Sequence, residues 1–406
     1  MEWKTLGEVG TFVRGTSFQK KHFVEKGIGC IHYGEIYTRY GLFAKRTISY
    51  LNEEIANKAR KAAYGDLIIA TTSENDDDVC KSTVWLGTES IVVSNDACYY
   101  HHTLNPKYVA YFFRTNEFQK QKRAYITGTK VKRVNANDLA KITIPVPPLR
   151  VQARIVEILD KFTQLEAELE SELEARKKQY AYYRDQLLNF SQCPPLNVNI
   201  EWKTLGEVCH IVGRIGFRGY TRNDIVERGE GAISISPTNI INQHLNLSAE
   251  INTYISWEKY DESPEIKIEI GDIVLVKTGS TVGKTAIVRE LIEKATINPQ
   301  MVVLKEIQCS PAYLSHYINT PYFQLKLKSL CGQGSVPNIS QTKLSTIPIP
   351  LPPLSEQRRI VDILDRFDTL TNSISEGLPK EIALRRKQYE YYRDALLSFP
   401  RAEVTV

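Results

Sequence analysis

Two stretches of the chain carry apolar residues three or four apart over lengths that suit a long helix. After Pro147-Pro148 come Leu149, Ile155, Leu159, Phe162, Leu165, Leu169 and Leu173, with Glu and Lys between them. This stripe predicts an amphipathic helix of coiled-coil character, opened by prolines because its first turn needs no N–H donors. If it continues to Phe190 it has about 40 residues and spans roughly 60 Å. A second stripe, Ile360, Leu364, Phe367, Leu370 and Ile374, runs into Gly377 and Pro379, which should break or kink it before Ile382–Leu397 resumes. Cys193-Pro194-Pro195 ends the first helix and launches the next segment. Two such helices should pack antiparallel, stripe against stripe. Elsewhere the runs Leu67–Ala70, Ile91–Val93, Ile273–Val276 and Met301–Leu304 read as strands between Gly- and Asn-rich loops. Tyr108–Lys122 and Pro311–Leu330 read as single helices.

The pattern is written twice. Glu2-Trp-Lys-Thr-Leu-Gly-Glu-Val9 recurs unchanged as Glu201–Val208; IPVPPLRVQARIVEILDKF at 144–162 returns at 349–367 with 13 of 19 positions identical; ARKKQYAYYRDQLLNF at 175–190 returns at 384–399 with 11 of 16 identical. Three collinear matches make an internal duplication. Gly65-Asp-Leu-Ile-Ile-Ala70 corresponds to Gly271-Asp-Ile-Val-Leu-Val276, yet the loops that follow, Thr71–Asp78 and Lys277–Thr285, share nothing. A frame that is kept while its loops change suits two modules that read different things. The expected architecture is α+β: two pseudo-symmetric globular domains, 1–148 and 196–353, each followed by a helix, 149–195 and 354–400, the helices forming an antiparallel coiled coil, with a tail at 401–406.

Composition alters this picture little. A chain that is 42% hydrophobic and 24% charged can bury ordinary cores. No apolar run approaches the roughly 20 residues of a membrane span, and Met1–Thr5 lacks the order of a signal peptide, so a cytoplasmic location is expected. Seven cysteines scattered singly point to free thiols. Cys98-x-x-His101 has no second pair at a zinc spacing. The net charge is only +5, but residues 1–148 hold 21 Lys and Arg against 15 Asp and Glu. That surplus permits a phosphate-tracking face without requiring one.

Candidate catalytic motifs fall short. Thr278-Gly-Ser-Thr-Val-Gly-Lys-Thr285 leaves three residues between its glycines where a phosphate-cradling loop needs four. Asn105-Pro-Lys-Tyr108 and Thr320-Pro-Tyr-Phe323 are incomplete versions of an adenine-methyltransferase tetrad, and Glu265-Ile-Lys267 is a fragment of a nuclease site that a chain this charged produces by chance. The His residues, His101 and His102 included, show no nucleophile or carboxylate arrangement in the sequence and are expected to be ordinary surface or core positions. No catalytic site is expected.

The Trp-Lys-x-x-x-Leu-Gly-like openings and the closing Ile-Pro-x-Pro-Pro-Leu-x-x-Gln-x-x-Ile-Val-x-x-Leu-Asp segments resemble the DNA-specificity subunits of type I restriction-modification systems, over essentially the whole chain and in the family's order. The acidic loop Glu74–Asp78 departs from that family, whose recognition domains often carry a Gly-Ser turn there. The resemblance implies that each recognition domain reads one half of a split, asymmetric site in double-stranded DNA, with the helices setting the gap. It implies as partners methyltransferase subunits, which bind S-adenosylmethionine themselves, and a restriction subunit that translocates and cuts. It implies no cofactor on this chain, with S-adenosylmethionine, Mg2+ and ATP on the partners only, and no membrane. Half-sites about 34 Å apart would match a pseudo-twofold protein.

The residues expected to touch DNA are Arg123, Lys130, Lys132 and Arg133 in the first domain, around Gly128. In the second they are Arg214, Arg218, Tyr220, Arg222, Lys284, Gln333 and Ser335. Arg and Gln suit bidentate base contacts, and Ser or Lys suits backbone positioning. The clusters Tyr180/Tyr182/Tyr183 and Tyr389/Tyr391/Tyr392 read as helix packing or a methyltransferase dock. The competing readings are a coiled-coil adaptor without sequence-specific DNA binding, which leaves the divergent loops unexplained, and an enzyme whose motifs have diverged beyond recognition.

Overall fold

The repeated segments turn out to be one another's partners. In the computed structural model, which describes residues 2–190, 199–214, 220–332, 334–373 and 376–400, the opening strand Glu2–Thr5 pairs antiparallel with the closing strand Thr143–Val146. Glu201–Thr204 pairs in the same register with Pro348–Leu351. A one-turn helix follows each opening strand, its Thr5 or Thr204 amide held by the carboxylate of Glu8 or Glu207 at 2.6 and 2.7 Å. The opening motif is therefore a strand plus a capping box, and the domain closes because its two ends hydrogen-bond to each other.

Contacts divide the chain into two units, Met1–Glu170 with Ile382–Val406, and Ser171–Glu381. The first is built on a five-stranded sheet in the order Gly10–Arg14, Ala97–His102, Leu67–Ala70, Ser82–Trp85, Phe43–Ala44, backed by a second five-stranded sheet containing Ile28–Ile31 and Ile91–Val93. The second unit repeats the order His210–Val212, Met301–Lys305, Ile273–Val276, Thr285–Ile287, backed by a sheet containing Gly231–Ile235 and Ala295–Ile297. The central strands explain their unbroken apolar sequence. Leu67 and Ile69 enter one core with the helices, whereas Ile68 and Ala70 enter another with the backing sheet. Ile273 and Leu275 part from Val274 and Val276 in the same way. A strand covered on both faces has no polar side to alternate with.

Each single helix expected after these sheets is instead a pair. Pro106–Phe112 is followed by Asn116–Arg123, and Pro311–Ile318 by Pro321–Leu330. Thr115 and Thr320 make the breaks, each donating its hydroxyl back to a carbonyl three residues earlier and accepting the amide three residues later. Pro321 adds the loss of an N–H. The apolar spacing carries on across a cap, so periodicity alone cannot see it.

The long helix is one element, Leu149–Leu188; its second copy is two, Leu354–Asn372 and Gly377–Leu397. Gly377 has φ +72°, and a Cβ there would lie 2.5 Å from the Thr369 carbonyl, so glycine is required at the interruption; the break itself precedes Gly377, and the helix resumes there, ahead of the expected Ile382, with Pro379 in its first turn. Cys193–Pro195 lies outside the described residues. Within the first unit Phe162 stacks on Tyr392 at 5.4 Å, and Arg386 pairs with Glu166 and Glu170, an antiparallel arrangement. Within the second Tyr183 stacks on Phe367 at 5.5 Å, and buried Tyr180 meets His316 at 3.3 Å. Each globular core thus takes in the start of the helix that follows it and the end of the other helix. The antiparallel helix packing and the α+β class match the reading of the sequence.

A buried glutamine ties each domain to its helix. Gln152 accepts the Asn105 amide at 2.9 Å and donates to the Pro147 carbonyl at 2.8 Å. Gln357 repeats this with Ser310 at 3.0 Å and Pro352 at 2.8 Å. Tyr108 and Tyr313 donate to the carbonyls of Pro145 and Pro350. The aspartates near the end of the repeat bind the same helices: Asp160 takes Lys107 and Tyr111, and Asp365 takes His316, with Arg289 reaching it from the segment after Thr285–Ile287. Gln357→Leu would leave the Ser310 amide and Pro352 carbonyl unpaired, and should destabilise the protein by about 2–3 kcal/mol. Urea unfolding measures this, and a loss below about 0.5 kcal/mol, the range of ordinary surface substitutions, would contradict the lock.

Candidate nucleic-acid interface

Both units carry the same backbone junction beyond the end of the central strand. In the first, the Thr71 amide donates to the Asp96 carbonyl at 3.0 Å, Val134 donates to Thr71 at 3.1 Å, and Thr127 and Arg133 exchange hydrogen bonds at 2.9 and 2.8 Å. In the second, Lys277 donates to Gln300 at 2.8 Å, Ile339 to Lys277 at 2.9 Å, and Gly332 to Asn338 at 2.9 Å. Loops from three parts of each domain therefore meet on one frame, and their side chains differ at almost every position.

The first loop set is a zipper of opposite charges. Thr72–Ser73 pairs with Lys132–Arg133, and the turn at Thr127–Arg133 needs Gly128, whose φ is +90° and whose Cβ would lie 2.1 Å from the Val131 carbonyl. Lys130 and Arg133 are exposed on this turn. Lys132 pairs with Asp76 at 3.1 Å, and Arg123 reaches Asp77 at 3.5 Å. The acidic loop that departs from the family pattern is thus the partner of the expected DNA-contacting cations. Beneath it Lys122 is fully buried, its ammonium donating to the carbonyls of Asp77 at 3.0 Å and Val79 at 2.9 Å. Burial pulls its pKa below the usual lysine value, against the pull of Cys80 and Asp77. A desolvated charge is an expensive anchor, so the acidic loop is held in place. The exposed pairs above it are worth about 0–1 kcal/mol each, which a phosphate can replace.

The second loop set uses its expected residues differently. Lys284 donates to the carbonyls of Ile240 at 3.0 Å and Pro237 at 3.4 Å. Thr285 begins the strand Thr285–Ile287, so the Gly279–Lys284 turn joins two strands and does not open a helix, as a phosphate-cradling loop would. Lys284 and Gly332 line one cleft of about 840 Å3. Arg214 is buried, 7% exposed, donating to the Ile297 carbonyl at 3.0 Å with its guanidinium over the Tyr220 ring. Burial draws that guanidinium's pKa down. Arg222 is exposed at the start of a short 3-10 helix, and Ser335 is exposed. Arg218 and Gln333 lie outside the described residues.

The tempting motifs prove to be structural. Asn105 caps Pro106–Phe112, accepting the amides of Lys107 and Tyr108, and Thr320 caps Pro321–Leu330. Lys267 pairs with Asp261 at 2.6 Å and lies over Tyr260. The six cysteines among the described residues are free thiols; burial raises those of Cys30, Cys80, Cys209 and Cys309 to about 12.

The same junctions also gather Arg14, Asn95, Lys277, Gln300 and Asn338, none of which the sequence alone singled out. Aligning the two copies at Gly65-Asp and Gly271-Asp would have put Thr71 opposite Lys277; the others need the strand pairing.

One frame repeated with two polar loop sets defines a bipartite recognition protein. The family described as type I restriction modification DNA specificity domain matches residues 1–175 and 197–384, and the chain belongs to it. Among its relatives, the EcoR124I/EcoR124II type I restriction enzyme specificity subunit of Escherichia coli is 37% identical over 99% of this chain and 95% of its own length. A putative type I specificity subunit of Haemophilus influenzae is 32% identical over 68% of each. Two solved structures share the fold: a chain of a type I R-M system, TM-score 0.65 at 18% identity over 98% of this chain and 97% of that one, and the S subunit from M. genitalium, TM-score 0.54 at 14% identity over 98% and 96%. Among the described residues no helix is long and apolar enough to cross a membrane.

Lys122→Met keeps the bulk under the acidic loop and removes its anchor. Amide exchange at 75–80 should quicken about tenfold or more, as two carbonyls lose their donor, with little change in the central strand Leu67–Ala70; unchanged exchange would mean that the lysine does not hold the loop.

Proposed function

We propose that this chain is the DNA-specificity subunit of a type I restriction-modification complex, each globular domain reading one half of a split site and the paired helices holding the gap between halves. The observation that carries this is the duplicated junction with unlike loops: one scaffold, written twice, presents two different polar surfaces. The subunit supplies recognition and no catalytic group. Methyltransferase subunits dock on the helices, where Tyr182 and Tyr391 stand exposed at matching positions of the repeat, 62% and 70%. S-adenosylmethionine, Mg2+ and ATP are held by the methyltransferase and restriction subunits. Phosphate contacts fall to Arg133, Lys130, and Lys132 and Arg123 once their carboxylate partners give way.

Mapping N6-methyladenine in host DNA, with the gene present and deleted, tests this. A split motif methylated on both strands and lost on deletion is expected. If supplying a related methyltransferase subunit still yields no gene-dependent motif, the chain is the coiled-coil adaptor instead. For the assembled complex, Arg133→Ala should weaken binding to every sequence and reduce the salt slope of binding by about 1; an unchanged slope removes Arg133 from the phosphate contacts.

A further inference from the structure

The two junctions correspond position by position through their backbone hydrogen bonds, which allows the variable side chains to be located without knowing the DNA. Thr71 and Lys277 are equivalent, because each receives the amide of Val134 or Ile339 and donates to Asp96 or Gln300. Arg133 and Asn338 are equivalent, because each carbonyl accepts the amide of Thr127 or Gly332. In the first unit the junction borders a cleft of about 290 Å3 lined by Arg14, Asn95 and Arg133 around Thr71 and Thr72. Arg14 is brought there by strand pairing with Cys98 and by its Nε bond to the Asn95 carbonyl at 3.4 Å. Arg14 and Arg133 are exposed and Asn95 half-buried. In the second unit Gln300 and Asn338 are exposed beside half-buried Lys277, and Thr278 donates its hydroxyl to the Asn338 side-chain oxygen at 2.9 Å, which orients that amide.

These are polar groups of the kinds that discriminate base edges, set at strand ends or in the turns beside them, and they change between copies while the backbone hydrogen bonds beneath them do not. The guanidinium of Arg matches the two acceptors on the major-groove edge of guanine; the amides of Asn and Gln match the donor and acceptor on adenine. We propose that Arg14 and Asn95 discriminate bases of one half-site, which includes a guanine, and that Lys277, Gln300 and Asn338 discriminate bases of the other, which includes an adenine besides the one that is methylated. This rests on the function proposed above.

The test is the methylation motif of complexes carrying Arg14→Ala with Asn95→Asp, or Gln300→Ala with Asn338→Ala, read alongside competition binding to DNA permuted at each base. Each pair should relax discrimination by about tenfold or more at one or two bases of a single half-site. The first pair should do so at a guanine and the second at an adenine, with the other half and the gap unchanged. A complex that melts as the wild type yet keeps the wild-type preferences, or loses binding equally on every sequence, overturns the assignment. Should a pair fail to fold, the single substitutions Arg14→Lys and Asn338→Ser carry the same readout. A wild-type complex that gives no split motif defeats the proposed function itself; a wild-type motif that no variant alters defeats only this assignment.

Discussion

The structure depends on a buried amide bridge made twice. Gln152 and Gln357 each saturate one amide and one carbonyl at the point where a β-domain gives way to a long helix. A helix start leaves backbone groups without intrahelical partners, and at a buried junction such groups must be paired from elsewhere. The glutamine pairs the Pro147 or Pro352 carbonyl just before the long helix with the amide of Asn105 or Ser310, the residue that caps the short helix behind it. Around it Tyr108, Tyr313, Asp160 and Asp365 bind the helix to the element behind it. The most repeated part of the sequence is thus the part that fixes the helix onto the domain.

Away from that junction the fold separates support from surface. The central strands give alternate residues to two cores and so hold the strand ends rigidly, and the loops beyond them are joined by a few backbone bonds that do not depend on side-chain identity. Those positions can change without cost to the scaffold. One unit places Arg133 where the other places Asn338, and Thr71 where the other places Lys277, on the same hydrogen bonds. This is how one architecture can present two recognition surfaces.

The two surfaces also differ in electrostatics. In the first, exposed cations face an acidic loop fastened from below by buried Lys122, so its net field is weaker than its count of basic residues implies. In the second, Lys284 and Arg214 are committed to backbone carbonyls. Their charges support the loops that present other groups. A basic residue in a variable loop is therefore no guide by itself to contact with a phosphate.

The duplication, the long helix, its interruption near Gly377 and the central strands were all legible in the residues, because periodicity, glycine, proline and repeated motifs act through nearby backbone. The family followed from the same repeats. The helix breaks at Thr115 and Thr320 were not legible, since a cap leaves the apolar spacing intact, and neither were the partners of the candidate cations. Whether Lys132 faces Asp76, or Arg214 is buried beside Tyr220, depends on strand pairings between residues far apart in the chain. Local sequence determined the scaffold and its repetition; tertiary structure decided which charges are already spent and which side chains meet at the reading junction, because those are long-range contacts that no local pattern encodes.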